Sequence, residues 1–290
     1  MNKITKAVIA CAGRGTRFLP TVKAYAKPLI PIVDKPQLHH LLDSLLNAGI
    51  TNICIVHPHG EKTIRQYLKP NPELDDYLAN TNKTESLGNL NQLIKNINFK
   101  LVPQSPRLPY GNGTPILAAK SFIGTDDFVY LFGDDLLIED KPGTHLKNMV
   151  DLFITKKADA VSAIQQVPWS QIHKYGAIKF DPKQKNRALG VFEKVPRDQA
   201  PSNFSQVSPY VLSNQYINIL QDTALGKDNE LWLADANNTM AQSGLLLTYD
   251  LQGDWITTGD PLNWLKANLR LALKHPDYKK DIKAFLKKLT

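Results

Sequence analysis

Residues 6–20 read KAVIACAGRGTRFLP. Residues 6–11 form a short apolar run, and the run stops in a turn with Gly13 and Gly15. An apolar run of this length, without alternation and ended by glycine, predicts a strand buried on both faces of a parallel sheet. Gly13 and Gly15 let backbone amides approach an anion without side-chain obstruction. Arg17 can fork onto phosphate oxygens. Two glycines after a strand also serve ordinary turns, so the stretch alone leaves both readings open. It is not the dinucleotide fingerprint, because Phe18 stands where a third glycine would fall. Nor is it the ATPase phosphate loop, because no Gly-Lys-Ser/Thr follows.

The pattern around this stretch gives the fold class. Residues 36–48 carry apolar side chains at helical spacing and stop at Gly49, and residues 52–56 (NICIV) read as a second strand. Strand, turn, helix and strand make a right-handed βαβ unit. Residues 73–96 predict two helical pieces broken near Gly88, and residues 99–102 a strand. Residues 115–122 predict a helix with Thr114 as N-cap and Pro115 at its first position. The strand at 128–132 (FVYLF) ends in Gly133-Asp134-Asp135, followed by a helix over 143–157 and a strand over 160–165. After about residue 166, short strands at 177–180, 190–193, 208–212 and 246–250 alternate with Pro, Gly and Asn. Helices over 262–274 and 280–289 close the chain. The expectation is α/β: a Rossmann-like, mostly parallel mixed sheet flanked by helices, with a smaller antiparallel β addition in the C-terminal half.

The chain has 290 residues, 42% of them apolar, enough for a sizeable core, and a net charge of +8. Such a charge suits nucleic acid, an anionic membrane or small anionic substrates. No dense basic block with interleaved aromatics is present, which argues against nucleic acid. The steepest basic stretch, with Lys279, Lys280, Lys283, Lys287 and Lys288, interleaves Ile282, Phe285, Leu286 and Leu289 at helical spacing. It predicts a surface helix with a docked apolar face; a membrane or partner patch is the other reading. Cys11 and Cys54 match no metal-ligand spacing and read as buried free thiols in a reducing compartment. No apolar run approaches the roughly 18–20 residues of a membrane span. A cytoplasmic protein is expected.

The candidate chemistry begins with Lys23 and Lys27, close behind the glycine loop, where they would neutralise clustered phosphates; solvated loop lysines are the alternative. Asp134 ends a buried strand, where open α/β sheets place their ligands. The alternative is that Asp134 and Asp135 only make a turn. Glu193-Lys194 is otherwise an ordinary solvated strand end.

AGRGTRFLP at 12–20, followed by VKAYAKPLIPIVDKP at 22–36, resembles the signature of sugar-nucleotide pyrophosphorylases, in the sugar-phosphate nucleotidyltransferase superfamily. VPQ, GNGTPILAAK, FGDD, YGAI, GVFEKV, APSNF, PYVL and NELWLADA follow in family order between residues 102 and 236. IPIVDKP and APSN point to the bacterial UTP–glucose-1-phosphate uridylyltransferases. The resemblance implies one nucleotidyltransferase domain over 1–290: a nucleotide-binding part at 1–165, a sugar-binding part at 166–260 and closing helices at 261–290. It implies Mg²⁺-assisted in-line attack of glucose 1-phosphate on UTP, giving UDP-glucose and pyrophosphate without a covalent intermediate. By resemblance, Ala12, Gly13, Gly15 and Thr16 approach the nucleotide, Arg17 and Lys27 face the phosphates, and Asp134 binds Mg²⁺. Gln104 reads the uracil edge and Gly111 packs on the base. Gly176 approaches the sugar, Glu193 accepts from its hydroxyls and Lys194 pairs with its phosphate. The resemblance also implies dimers or tetramers, with neither nucleic acid nor membrane as partner.

Departures from the pattern qualify this reading. The loop 104–113 is longer than usual and carries Arg107, Pro109 and Tyr110, and Thr114 replaces a common His. This keeps open a sister transferase using dTTP or another hexose 1-phosphate. Thr257 stands where the family places a second Mg²⁺-binding aspartate, and a hydroxyl is a weaker Mg²⁺ ligand than a carboxylate. Asp260 is the expected substitute. Asp254 is the other candidate, but in an extended strand it faces the opposite side from Thr257. Thr257 also leaves room for a weakly active, sugar-nucleotide-binding regulatory paralogue. Pro209 replaces a usual arginine and removes a charge expected near the sugar.

Overall fold

The computed structural model describes residues 3–289. The N-terminal half contains β1 (Lys6–Ala10), the short pair β2 (Pro31–Ile32) and β3 (Lys35–Pro36), α1 (Gln37–Asn47), β4 (Asn52–His57), α2 (Thr63–Tyr67), α3 (Pro72–Asn80), α4 (Gly88–Asn96) and β5 (Asn98–Pro103). Next come α5 (Thr114–Ala118), α6 (Lys120–Ile123), β6 (Phe128–Phe132), β7 (Asp135–Leu137), α7 (Thr144–Lys156) and β8 (Ala160–Gln166). The remainder is β9 (Gly176–Phe180), β10 (Ala188–Glu193), β11 (Phe204–Leu212), α8 (Tyr216–Asp222), α9 (Leu233–Ser243), β12 (Leu246–Asp250), β13 (Trp255–Thr257), α10 (Pro261–Ala272) and α11 (Lys279–Leu289).

The opening apolar run is the centre of the sheet. β1 pairs in parallel with β4 on one side and β6 on the other, and β5 adds in parallel beyond β4. Successive side chains of a strand point to opposite faces, so β1 feeds two cores. Ala7 and Ile9 join Leu38, Leu42 and Met149 of α1 and α7. Val8 joins Ile116, Leu220 and Met240 of α5, α8 and α9. Burying each Ile or Leu stabilises by about 1.5–3 kcal/mol, so an alternation-free run is the sequence that suits this position.

Beyond β6 the sheet turns antiparallel through one long strand. Residues 210–212 of β11 pair with β6, and Ser205 bridges to Ala177 of the β9–β10 hairpin. β8 pairs antiparallel with β11 along both segments and parallel with β12. The antiparallel addition therefore belongs to the same nine-stranded sheet. The register of β11 shifts between Val207 and Tyr210. Pro209, which has no N–H to donate, sits at that irregularity. It lines a small cavity with His40, Leu41 and Leu146, on the α1 and α7 face.

Other expectations are refined. The helix over 115–122 divides at Ala119, and Thr114 is the first residue of α5 rather than its cap. Its hydroxyl donates to Pro109 O at 2.7 Å and closes the long loop. Residues 73–96 form two helices, as the pattern predicts. On α11, Ile282 and Leu286 are half-buried while Phe285 and Leu289 are 57% and 66% exposed, so only part of the expected apolar face is covered. Among the described residues no helix is long and apolar enough to cross a membrane. Cys11 and Cys54 are buried and free.

Candidate active site

The chain runs outward from β1 through β4 to β5 and then returns as β6 on the other side of β1. That reversal is where open α/β sheets bind ligands, beyond the carboxyl ends of the strands. The loops after β1, β4, β5 and β6 meet there. They enclose a cavity of about 920 Å³ lined by Ala12, Gly13, Arg14, Lys23, Lys27 and Gln104, among others. A second cavity of about 280 Å³ includes Gly111, Phe132, Asp134 and Trp232. Ala12, Gly13, Gln104 and Tyr110 line both, so the two join.

The two loop glycines do different work. At Gly13 a Cβ would meet nothing within 4 Å, so the space above it is open to a ligand. Gly15 has φ +62°, and a Cβ there would lie 3.0 Å from Lys27 Cβ. Gly15 thus lets the lysine stem pass close by. Lys27 Nζ then reaches Asp134 Oδ2 at 2.6 Å. Thr16 is exposed at the start of the short turn that carries Arg17. Arg17 Nη1 makes a long 3.5 Å contact with Gly259 O. A Cβ on Gly259 would stand 3.2 Å from Thr257 Oγ1, 3.3 Å from Asp134 Oδ2 and 3.6 Å from Arg17 Nη1. Glycine at 259 is what allows these groups to converge.

The strand of Thr257 is tied to the Asp134 turn. β13 pairs with β7 so that Thr257 opposes Asp135, and Thr258 N donates to Asp134 O at 2.6 Å. Asp260 has another task. It caps α10: Oδ1 accepts from Asn263 N at 3.0 Å and Oδ2 from Asn263 Nδ2 at 2.8 Å. Asp254 lies 3.1 Å from His145 Nε2, against α7. Asp135 is buried, and burial first and the Asp134 charge second push its carboxyl up to about 7. It accepts from Ser208 N at 3.3 Å and so anchors β11 behind the site.

On the far side of the glycine loop, Gln104 N donates to His57 O at 2.8 Å. Its buried Oε1 has no hydrogen-bond partner among the described residues. A buried acceptor left unpaired costs about 1–3 kcal/mol, and a ligand donor would remove that cost. Gly111 has φ +137°, and a Cβ there would fall 2.3 Å from Leu231 O. The close approach is used: Leu231 N donates to Tyr110 O at 2.7 Å, Gly113 N to Leu231 O at 3.0 Å and Leu233 N to Asn112 Oδ1 at 2.7 Å. The longer loop is zipped onto the segment before α9.

Gly176 and Glu193 face each other across the β9–β10 hairpin. Burial pushes the Glu193 carboxyl up to about 7; Lys194 opposes this and Asp235 adds to it. Lys194 takes φ +48°, and its Nζ lies 3.9 Å from the Trp232 ring centroid, a cation–π distance. Trp232 also lines the cavity that holds Asp134. The hairpin is thereby tied to the wall of that cavity.

A sequence profile of the nucleotidyl transferase family matches residues 6–273. The chain belongs to that family. It is 34% identical to a UTP–glucose-1-phosphate uridylyltransferase of Staphylococcus epidermidis, over 100% of this chain and 99% of that one. It is 34% identical to UTP–glucose-1-phosphate uridylyltransferase 2 of Streptococcus pyogenes, over 99% and 96%. Its fold is similar to that of a UTP-bound UGPase from Acinetobacter baumannii, at TM-score 0.88 and 30% identity, covering 99% of this chain and 100% of that one. A UDP-glucose pyrophosphorylase complexed with UDP-glucose gives TM-score 0.84 at 28% identity, over 94% and 100%.

In this nucleotidyl transferase the expected residues are placed differently. Ala12, Gly13, Lys27, Gln104, Gly111 and Asp134 line the joined cavities, Arg17 comes near Asp134 at Gly259, and Lys194 touches the lining residue Trp232, with Glu193 next to it in the chain and paired with Gly176. Gly15 acts through Lys27, and Asp260 through its helix. Trp232 and Gln206 escape a reading of the sequence alone. Trp232 becomes visible only when Lys194 is seen over it, and Gln206 only when its bond to Asn237 is seen.

Proposed function

We propose that this nucleotidyl transferase transfers uridylyl from UTP to glucose 1-phosphate, releasing pyrophosphate and forming UDP-glucose. The observation that carries this reading is the Lys27–Asp134 pair at 2.6 Å, set between a cavity with an unpartnered Gln104 acceptor and the Gly176–Glu193 hairpin. Gln104 Oε1 accepts the uracil N–H. The open space over Gly13 admits the phosphates, and Lys27 and Arg17 draw their charge. Lys194 and Glu193 hold the sugar phosphate and the sugar hydroxyls. An oxygen of the sugar phosphate forms the new bond to the α-phosphorus, the α–β P–O bond breaks, and its electron pair leaves with pyrophosphate. No side-chain nucleophile is required, so the protein contributes position and charge.

The residues fit one Mg²⁺. Among the described residues no group of three or more His, Cys, Asp or Glu is arranged around a metal. Mg²⁺ is typically held by one or two carboxylates, substrate phosphates and water, and Asp134 alone supplies that much. We assign Asp134 as its carboxylate, with the Thr257 hydroxyl beside it, and leave Asp260 to its helix cap. Bound there, Mg²⁺ supplies screening of the phosphate charge. Two buried free thiols support a cytoplasmic protein, and a row of exposed leucines on α10 supports a homo-oligomer.

Pyrophosphate release tests the reaction, with UTP, dTTP, ATP and CTP each run against glucose 1-phosphate and Mg²⁺. UTP is expected to turn over fastest. Faster release with dTTP would replace this reading with the sister transferase. UDP-glucose binding without release from any pair would replace it with the regulatory paralogue.

A further inference from the structure

Gln206 lies in β11, only 8% exposed, opposite the apolar Ile164 on β8 and next to Ser205, which pairs with Ala177 on β9. A carboxamide in such a place is costly unless both of its ends are bonded. One end is bonded. Its Oε1 accepts from Asn237 Nδ2 at 2.6 Å, and the fully buried Asn237 accepts in turn from the Tyr216 hydroxyl. This fixed relay runs from α8 through α9 and turns the other end of the amide towards Gly176. A Cβ at 176 would stand 2.9 Å from Gln206 Nε2 and 3.0 Å from Glu193 Oε2. Over the bare backbone of one glycine, a fixed donor and a fixed acceptor face the same space. Lys194, next to Glu193 in the chain, lies over Trp232, and Trp232 lines the cavity of Asp134.

We propose that Gln206 determines sugar specificity, its amide N–H and the Glu193 carboxylate together reading neighbouring hydroxyls of the bound sugar over Gly176. This rests on the glucose 1-phosphate reading above. A hydroxyl both donates and accepts, so a vicinal diol matches one donor beside one acceptor. A sugar lacking or inverting one of those hydroxyls leaves a buried group unpaired, which is how such sites discriminate.

The test replaces Gln206 with Leu and, separately, with Met, both close to it in volume. Calorimetry measures UDP-glucose and UDP on each protein, and kinetics measure both substrates. The expected result is UDP-glucose binding weakened about ten-fold with UDP unchanged, as for one lost hydrogen bond. The KM for glucose 1-phosphate should rise by a similar factor while the KM for UTP stays within about two-fold. The wild-type preference for glucose 1-phosphate over its deoxy and epimeric analogues should shrink in parallel. UDP-glucose affinity and sugar preference equal to wild type would overturn the proposal. If UDP binding is also lost, the fold has suffered, and Gln206→Glu decides: weakened UDP-glucose with intact UDP supports the donor role, and no change overturns it. Wild-type protein that binds UDP-glucose no better than UDP sinks the glucose reading itself. Selective binding that survives in the variants sinks only the role of Gln206.

Discussion

At 2.6 Å the Lys27 ammonium and the Asp134 carboxylate neutralise each other, and in the proposed reaction an incoming triphosphate would compete with Asp134 for Lys27. Asp134→Ala should therefore lower kcat by about 10³-fold or more, since it removes a charge aimed at the reacting phosphates; pyrophosphate release checks this, and a wild-type rate would overturn the assignment. Glu193 gives a pH signature. Its carboxyl is pushed from 4.5 up to about 7, so across neutrality it passes from protonated to ionised. An ionised acceptor binds hydroxyls more strongly, and UDP-glucose affinity should rise about five-fold between pH 6 and pH 8. UDP should show no such rise, and Glu193→Gln should abolish it. Stability moves the other way. Between about 4.5 and about 7 the folded chain holds a proton that the unfolded chain has lost, so stability falls as pH rises through that window. Asp135 adds a slope of the same sign, so the Glu193→Gln melt is compared with wild type at each pH. Asp260 carries a legible signal of its own. Asp before Pro is the mark of an N-cap followed by a first-turn proline, and capping is what Asp260 does.

At the scale of elements, glycine substitutions separate packing from binding. Gly111→Ala places a Cβ 2.3 Å from Leu231 O at a φ of +137°, so it should destabilise by about 2–3 kcal/mol and raise the KM for UTP. Gly13→Ala meets only open space, so its melting temperature should stay at the wild-type value while UTP binding falls. Thermal melts with UTP titration check both, and equal melting temperatures for the two variants would undo the distinction. The strands of the sheet were legible because their burial is continuous or strictly alternating, and the glycine loop and FGDD turn could be placed on their ends. Less regular elements were not. α9 buries Ala234, Ala236, Asn237 and Ala241 beside only two large apolar side chains, Leu233 and Met240, so its sequence LADANNTMAQS has little helical contrast. The β7–β13 ribbon has three residues in each strand, too few for any period to show. The sugar side is built on that less legible half, so Gln206 and its relay appear only in three dimensions.

For the whole molecule, α10 shows how the last part of the chain is used. One face docks inward: Ala267 is fully buried, Trp264 Nε1 donates to Pro31 O at 2.9 Å and Asn268 Oδ1 accepts from Val33 N at 2.8 Å. The other face carries Leu262, Leu265 and Leu269, exposed at 61%, 50% and 38%. These recur at i, i+3 and i+7, so they form one stripe. Scattered exposed leucines are ordinary, whereas an aligned row supports the contact between copies proposed above. With a net charge of +8 each, two copies of this chain repel over long range, so association depends on such short-range apolar burial. Leu265→Glu combined with Leu269→Glu should convert the assembled protein to a monomer, because two carboxylates would be desolvated at the contact. Both residues are exposed in the single chain, so the variant should keep its melting transition and its UTP binding. Size-exclusion chromatography with light scattering reads the outcome. A variant of wild-type mass would move the contact elsewhere, and a monomeric wild type would remove the oligomer from the account altogether.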